Sequence, residues 1–336
     1  LRDRRCDLAV LETARGGLLR RGLAVSHADA ALITNIAADH IGDFGVQNIE
    51  ELADVKWVVT RALGDSGVLV LNADDPLLVA RAKTSPARLI WFSPDPRNPV
   101  LRAHAATGGT ICTLNRGRIV LARGTELQPV VAIKQIPICF GGAARHNVAN
   151  ALGATALASA LCISPESIAN GLRALRIEDN PGRANFYSIK GAQVLLDFAH
   201  NPHGLRAMID MAASLPAQRR LLIIGQAGDR SDEDIRDLAR AAEALSFERI
   251  LIKELPTKNR GRPAGEVAAL LKDEFMQQGY RARQIATVKN ELAALRAALR
   301  WTRSGDLVVF LAHEDRTKAE AMLKRLDESS TADGAK

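Results

Sequence analysis

Aromatic side chains are scarce in this chain of 336 residues, which holds three Trp, two Tyr and eight Phe. A surface that stacks bases needs such rings interleaved with basic side chains. No helix-like segment concentrates the basic residues either, so a nucleic-acid role is disfavoured even though Lys and Arg outnumber Asp and Glu by 45 to 38. Cysteine is sparse as well. Cys6, Cys112, Cys139 and Cys162 stand far apart with no CxxC pair, which argues against a zinc site and fits a reducing cytoplasm. A membrane span needs about 20 mostly apolar residues. The longest uncharged stretch, 147–165, is interrupted by Asn150, Gly153, Thr155, Ser159 and Pro165. The opening Leu1-Arg2-Asp3-Arg4-Arg5-Cys6-Asp7 has no apolar core behind a basic start and does not read as a secretion signal. A chain that opens on Leu and enters a strand-like run at once reads as a fragment whose N-terminal part is missing. The pattern GxxxxGK[ST] occurs nowhere, so these residues contain no Walker A phosphate loop.

What is present fits a globular α/β protein. Hydrophobic residues make up 47% and charged residues 25%, which excludes disorder as the main state and supplies material for a core. The length allows two domains or three. The net charge of +7 favours anionic small molecules or an acidic polymer without choosing between them. Residues 8–11 (Leu-Ala-Val-Leu), 31–36, 67–72 and 88–92 read as buried strands, with a Gly- and Arg-rich turn after the first and a helical pattern over 49–63. Such alternation predicts a mostly parallel sheet covered on both faces. Short strands over 110–114, 118–121 and 130–136 read as a small antiparallel β insertion. An Ala-rich helix follows at about 146–161, then a second that opens at Ser164-Pro165 with a cap and a first-turn proline. The turn-rich 178–182 reads as a linker. Beyond it the alternation restarts, with strands expected at 192–197, 220–225, 249–253 and 306–311 and helices between them, a second doubly wound domain. The polar tail after Asp327 is expected to fray.

Several polar side chains fall where strands end, the edge at which open parallel sheets bind ligands. Glu12 follows the first strand and can hold Mg²⁺ through oxygen, or simply face solvent. The next strand runs into Asn35-Ile36-Ala37-Ala38-Asp39-His40, an amide, an acid and an imidazole at the same edge; helix capping by Asp39 with a packed His40 is the plainer reading. Lys56 sits among Val and Trp, either snorkelling or desolvated enough to react with CO₂ or carbonyls. Asn147 and Asn150 share a helix face and offer paired donors and acceptors suited to a purine edge, or a cap. In the second half, Asp197-Phe198-Ala199-His200-Asn201-Pro202 joins a buried strand to a helix. There Asp197 can accept from a ribose and His200 can stack on or bond to a nucleotide. Gly225-Gln226-Ala227-Gly228-Asp229-Arg230 reads as an anion loop or as ordinary strand-to-helix turn chemistry.

At these residues the sequence resembles the Mur ligase superfamily, and within it the cyanophycin synthetase branch. The stretch Glu12-Thr13-Ala14-Arg15-Gly16-Gly17-Leu18-Leu19-Arg20-Arg21-Gly22-Leu23 carries the resemblance most specifically. The runs around Asn35–His40 and Asp197–Pro202 share it, as do Ala227-Gly228-Asp229-Arg230 and Arg260-Gly261-Arg262 with Gly265-Glu266. It extends from about Asp7 to about His313. The resemblance implies a central ATP-binding domain over 1–180 lacking its N-terminal P-loop part, a C-terminal Rossmann-like domain over 181–327 and a flexible tail over 328–336.

The family's chemistry is ATP-dependent amide-bond formation with Mg²⁺ as the metal. A substrate carboxylate becomes an acyl phosphate, and an amine then displaces phosphate. By resemblance, Glu12 and His40 are Mg²⁺ ligands, and Lys56 matches a lysine that many members carbamylate, a third ligand group. Asn147 and Asn150 would flank adenine, Arg183 touch phosphate, Asp197 touch ribose, and His200 and Asn201 lie near the nucleotide or the acyl phosphate. Lys56, His200 and Arg183 are thus the expected catalytic set. The implied substrates are arginine and an acidic poly-aspartate (cyanophycin) chain. The implied partner is an ATP-grasp half of the same enzyme, and the full-length form is expected to be homo-oligomeric. The selection of arginine by Glu266 stays open, as does the choice between single arginine and Asp–Arg dipeptides. A peptidoglycan-precursor ligase, a folylpolyglutamate ligase and a non-catalytic remnant are the alternatives.

Overall fold

The structure, a computed structural model, describes residues 6–38 and 41–333. The chain divides into two compact units, residues 1–135 with 147–173, and residues 136–146 with 174–336. This division falls at 173/174 rather than at the expected 180/181, and it places 136–146 with the second unit.

The first unit is built on one six-stranded sheet. Its strands are β1 (Ala28–Ile33), β2 (Leu63–Asn72), β3 (Arg88–Phe92), β4 (Thr110–Asn115), β5 (Arg118–Arg123) and β6 (Glu126–Ala132), neighbours in chain order. β1 to β4 pair in parallel, β4 to β6 antiparallel. The expected β insertion is therefore a continuation of the parallel sheet, and its last strand lies at 126–132 rather than 130–136. The helices are α1 (Arg15–Arg21), α2 (Ile49–Trp57), α3 (Pro76–Ala82), α4 (Pro99–Ala106), α5 (Arg145–Ala160) and α6 (Pro165–Ala174). The run Val68 to Leu71 is buried throughout, as a central parallel strand requires. Leu69 and Leu71 pack with Trp91, Leu78, Leu101 and Ala53.

Two local expectations are corrected. Residues 8–11 form no strand, and Leu8, Val10 and Leu11 are exposed. Among the described residues no strand pairs with 8–11, so no ladder holds that run extended and buried. The Gly-rich turn after it is instead the helix α1. Arg20 and Arg21 favour its negative end, and Gly22, at φ 71°, stops it in a conformation that L side chains rarely adopt.

The second unit carries a six-stranded sheet of its own. It comprises β7 (Asn185–Ile189), β8 (Ala192–Asp197), β9 (Arg220–Ile224), β10 (Arg249–Lys253), β11 (Ile285–Val288) and β12 (Leu307–Leu311), in the order β11-β10-β9-β12-β8-β7. All pairs are parallel except β7 with β8. The four apolar strands are those the sequence predicts. The two edge strands, β7 and β11, were not expected; they are short and carry polar residues. One sheet face packs on α7 (Pro202–Ala213), α8 (Asp232–Arg240) and α9 (Glu266–Gln277), through Leu205, Leu238 and Leu271. The other packs on α10 (Glu291–Trp301) and α11 (Arg316–Asp333), through Leu295 and Leu323. α11 runs to Asp333: the helix anchored by Ala319 and Leu323 continues past Asp327, whose carboxylate accepts from the Ser188 amide.

One buried carboxylate organises the strand ends of the first unit. Asp75 Oδ1 caps α3 by accepting from the amides of Leu77 and Leu78, while Oδ2 accepts from the amide of Ile36 at 2.5 Å. Asn72 adds a bond to the Thr34 carbonyl at 3.0 Å. Asp75→Ala removes a cap and strands a buried amide, and is expected to cost about 2 kcal/mol. Urea unfolding measures this, and a loss below about 0.5 kcal/mol, the size of an ordinary surface substitution, would show the clamp to be dispensable.

Candidate functional site

In the first unit the parallel strands end together at one sheet edge, and α2 delivers Lys56 to it. Asn48 caps α2 by accepting from the Glu51 amide at 2.8 Å, which sets where the helix begins. Lys56 is half-buried, and its Nζ donates to the Asn35 carbonyl at 2.9 Å. Lys56 thus touches the segment that runs on to Asp39 and His40, which themselves lie outside the described residues. Glu12 is exposed in a segment without regular secondary structure rather than at a strand end. Among the described residues no three His, Cys, Asp or Glu side chains cluster as a metal site. The donor chemistry nonetheless suits Mg²⁺: Glu12 offers carboxylate oxygens, and a carbamate on Lys56 would add two more beside the Asn35 carbonyl. Asn147 and Asn150 lie in the first turns of α5, and Asn150 Nδ2 donates to Asn147 Oδ1 at 3.4 Å, so the two amides share a helix face.

In the second unit Asp197 ends β8 and is buried. Its Oδ2 accepts from the Ala184 amide at 2.8 Å and its Oδ1 from the Ala199 amide at 2.6 Å. Burial raises the carboxyl above the usual range, against the pull of these amides, Arg183 and His200. The guanidinium of Arg183 sits over the Phe198 ring at 5.6 Å, and that of Arg316 at 5.8 Å. His200 stacks obliquely on Phe198, centroids 5.3 Å apart, with Nδ1 at 3.2 Å from the Phe198 carbonyl. Asn201 caps α7 by accepting from the Gly204 amide at 2.8 Å. Arg183, Asp197, His200 and Asn201 therefore converge on one loop around Phe198. His146 belongs to the same unit. Its ring Nδ1 is buried without a hydrogen-bond partner, and burial, then the charges of Arg183 and His203, lower its proton affinity.

The loop after β9 is built for close packing. A Cβ at Gly228 would lie 2.0 Å from the Asn259 carbonyl oxygen, and the Gly228 amide donates to the Lys258 carbonyl at 2.8 Å. Arg262 donates to the carbonyls of Gly228 and Arg230. These bonds support the plainer turn reading over an anion loop. Glu266, considered above for a substrate guanidinium, pairs at 2.5 Å with the guanidinium of Arg262, and Asp229 pairs with Arg260.

Sequence reasoning missed a buried cluster at the same edge of the second sheet. Lys253 ends β10, Glu291 opens α10, and His313 follows β12; all three are buried. Lys253 donates to Glu291 in a short bond. Glu291 also accepts from the amides of His313 (2.7 Å), Glu314 (3.2 Å) and Asp315 (3.0 Å). The signal was available: a lysine closing the apolar run Ile250-Leu251-Ile252, and a histidine closing Phe310-Leu311-Ala312.

Comparison with known proteins places both units. The Mur ligase middle domain matches residues 1–158, and the domain described as Mur ligase, glutamate ligase domain matches residues 182–313. Cyanophycin synthetase from Synechocystis sp. is 37% identical over 326 residues, which is 96% of this chain and 37% of that protein. The chain thus spans little more than a third of the length of that relative. In fold it is similar to MurF from Acinetobacter baumannii, with a TM-score of 0.61 at 20% identity over 89% of this chain and 60% of that one. It is also similar to E. coli FolC in complex with DHPP and ADP, with a TM-score of 0.61 at 18% identity over 90% of this chain and 62% of that one.

Burial and the neighbouring Lys253 hold His313 neutral, its proton affinity well below the usual histidine value. Unfolding at mildly acidic pH therefore takes up a proton at this residue. Its contribution is intact above about pH 6.5 and is lost as pH falls, by up to about 1.4 kcal/mol per pH unit. His146, lowered in the same direction, adds to the slope. Urea midpoints between pH 7 and pH 5.5 should fall, and His313→Gln should make the fall shallower by about one proton. An unchanged slope in that variant would mean that His313 is already protonated in the fold.

Proposed function

Because the chain belongs to the Mur ligase superfamily, we propose that it carries the ligase chemistry of a cyanophycin synthetase type enzyme. In this reading L-arginine is joined through its α-amine to the side-chain carboxylate of a poly-aspartate backbone. The observation that carries it is the 37% identity with a cyanophycin synthetase across 96% of this chain, which spans both units.

A carboxylate is a poor electrophile at neutral pH. Its oxygen attacks the γ-phosphorus of ATP and ADP departs, leaving an acyl phosphate. The amine then attacks the acyl carbon, phosphate departs, and the amine gives up its proton. Mg²⁺ bound to the phosphates supplies charge neutralisation for both displacements. Glu12, His40 and carbamylated Lys56 would hold it. Asn147 and Asn150 present amides for the adenine edge. Arg183, steadied on Phe198, provides positive charge for phosphate, and Asp197 keeps lone pairs for a ribose hydroxyl beyond the two backbone bonds it accepts. His200 and Asn201 line the same loop. A poly-aspartate chain suits the net charge of +7. The reading carries with it cytoplasmic location, the ATP-grasp partner half and a homo-oligomeric full-length enzyme. No helix among the described residues is long and apolar enough to cross a membrane.

The test is to exchange this chain for the matching portion of the Synechocystis enzyme. ADP release that depends on both arginine and poly-aspartate is expected, and Glu12→Gln or Lys56→Gln should lower kcat by about 10²-fold. Release indifferent to arginine would refute the substrate assignment. The 336 residues by themselves contain no Walker A loop, so the purified chain should hold ATP weakly and not turn over. Arginine-dependent ADP release from it would overturn that expectation.

A further inference from the structure

The buried cluster of Lys253, Glu291 and His313 has no part in the chemistry described above, yet it reaches the loop on which that chemistry depends. His313 Nε2 lies 2.8 Å from the Ala199 carbonyl, and its Nδ1 lies 3.5 Å from Lys253 Nζ. A carbonyl accepts only from an N–H, so Nε2 carries the ring proton and Nδ1 turns its lone pair toward the ammonium. Lys253 thereby selects one tautomer of a neutral imidazole, and Glu291 holds Lys253 in place while gathering the amides of residues 313 to 315. Ala199 in turn donates to Asp197. A continuous polar chain so runs from β10 and α10 through His313 to the segment Asp197–Asn201. The other titratable groups facing it are Lys258, which donates to the His313 carbonyl at 2.9 Å, Glu314 and His200.

We propose that Lys253 is a positioning residue for the nucleotide-binding loop, acting through His313 to fix the Ala199 carbonyl and with it Asp197 and His200. The assignment rests on the nucleotide reading of that loop given above. Replacing a buried ion pair by neutral residues of similar size is often tolerated, so the function of the pair is separable from its contribution to stability.

Four variants of the full chain test this: Lys253→Met combined with Glu291→Gln, His313→Gln, whose amide can still donate to Ala199, and His313→Ala, which cannot, alongside His313→Asn as a shorter donor. ¹⁵N NMR of the His313 ring should show the Nε2–H tautomer in the wild type and a mixture in the Lys253/Glu291 double variant. NMR titration with MgADP, which reads weak affinities, should show binding weakened about tenfold by the double variant and by His313→Ala, the worth of one buried hydrogen bond. His313→Gln should stay near the wild-type value, and His313→Asn should fall between. Equal MgADP affinity in a folded double variant, or no difference between His313→Gln and His313→Ala, overturns the proposal. If the double variant does not fold, the His313 pair decides. If the wild type itself ignores MgADP, the nucleotide reading falls and takes this inference with it, an outcome distinct from unchanged binding in the variants.

Discussion

A parallel strand that ends must pass its chain to a loop whose amides no longer face a ladder partner, and buried amides left unpaired are costly. In both units a buried carboxylate meets that need. Asp75 takes the amide of Ile36 along with two from its own helix, Asp197 takes those of Ala184 and Ala199, and Glu291 takes three in succession. Each acid sits at the carboxyl edge of its sheet, where ligands of open α/β folds bind. The loops at that edge are consequently held from the interior.

This arrangement decides which charges are tolerated inside. Glu291 accepts four hydrogen bonds, three from backbone amides and one from the Lys253 ammonium, so a buried anion is balanced within its own unit. Lys253 loses proton affinity to burial more than Glu291 restores it, and is lowered to about 8. His313 escapes the cost by staying neutral. Such a network is weak as a source of net stability, since desolvation offsets most of the attraction. Its value lies in geometry: every member has one arrangement that satisfies its partners, so the loops it touches have one arrangement too.

The central strands of both sheets were legible because burial on two faces leaves long apolar runs, as in Leu221 to Ile224 and Val308 to Leu311. Edge strands were not, because Asn185 to Ile189 is short and carries Asn and Ser within it, and Ile285 to Val288 is shorter still. The run Leu8 to Leu11 shows the opposite failure: its composition is that of a core strand, but a strand exists only where a neighbour supplies the ladder. The same limit applied to side chains. Asp197, His200 and Asn201 were readable as a group because they are contiguous. Lys253, Glu291 and His313 are separated by 38 and 22 residues, and only the strand order β10-β9-β12 brings them together. The bond from the Ile36 amide to Asp75 likewise crosses from one strand end to the next.

The residues singled out for ligands are also residues that hold the chain itself, and the two roles are compatible rather than competing. A carboxylate has about four acceptor positions; Asp197 spends two on backbone. Asn201 gives its carbonyl oxygen to the α7 cap and retains its amide hydrogens. Lys56 donates one of its three protons to Asn35. A side chain already fixed by such bonds needs no further ordering when a ligand arrives, so less of the binding free energy is lost to conformational entropy. Glu266 illustrates the contrary case, since its partner Arg262 supplies the same guanidinium chemistry that an arginine substrate would bring. Selection of arginine by Glu266 would therefore require displacing an internal ion pair, whereas Asp197 and Asn201 keep acceptor and donor positions beyond the backbone bonds they make.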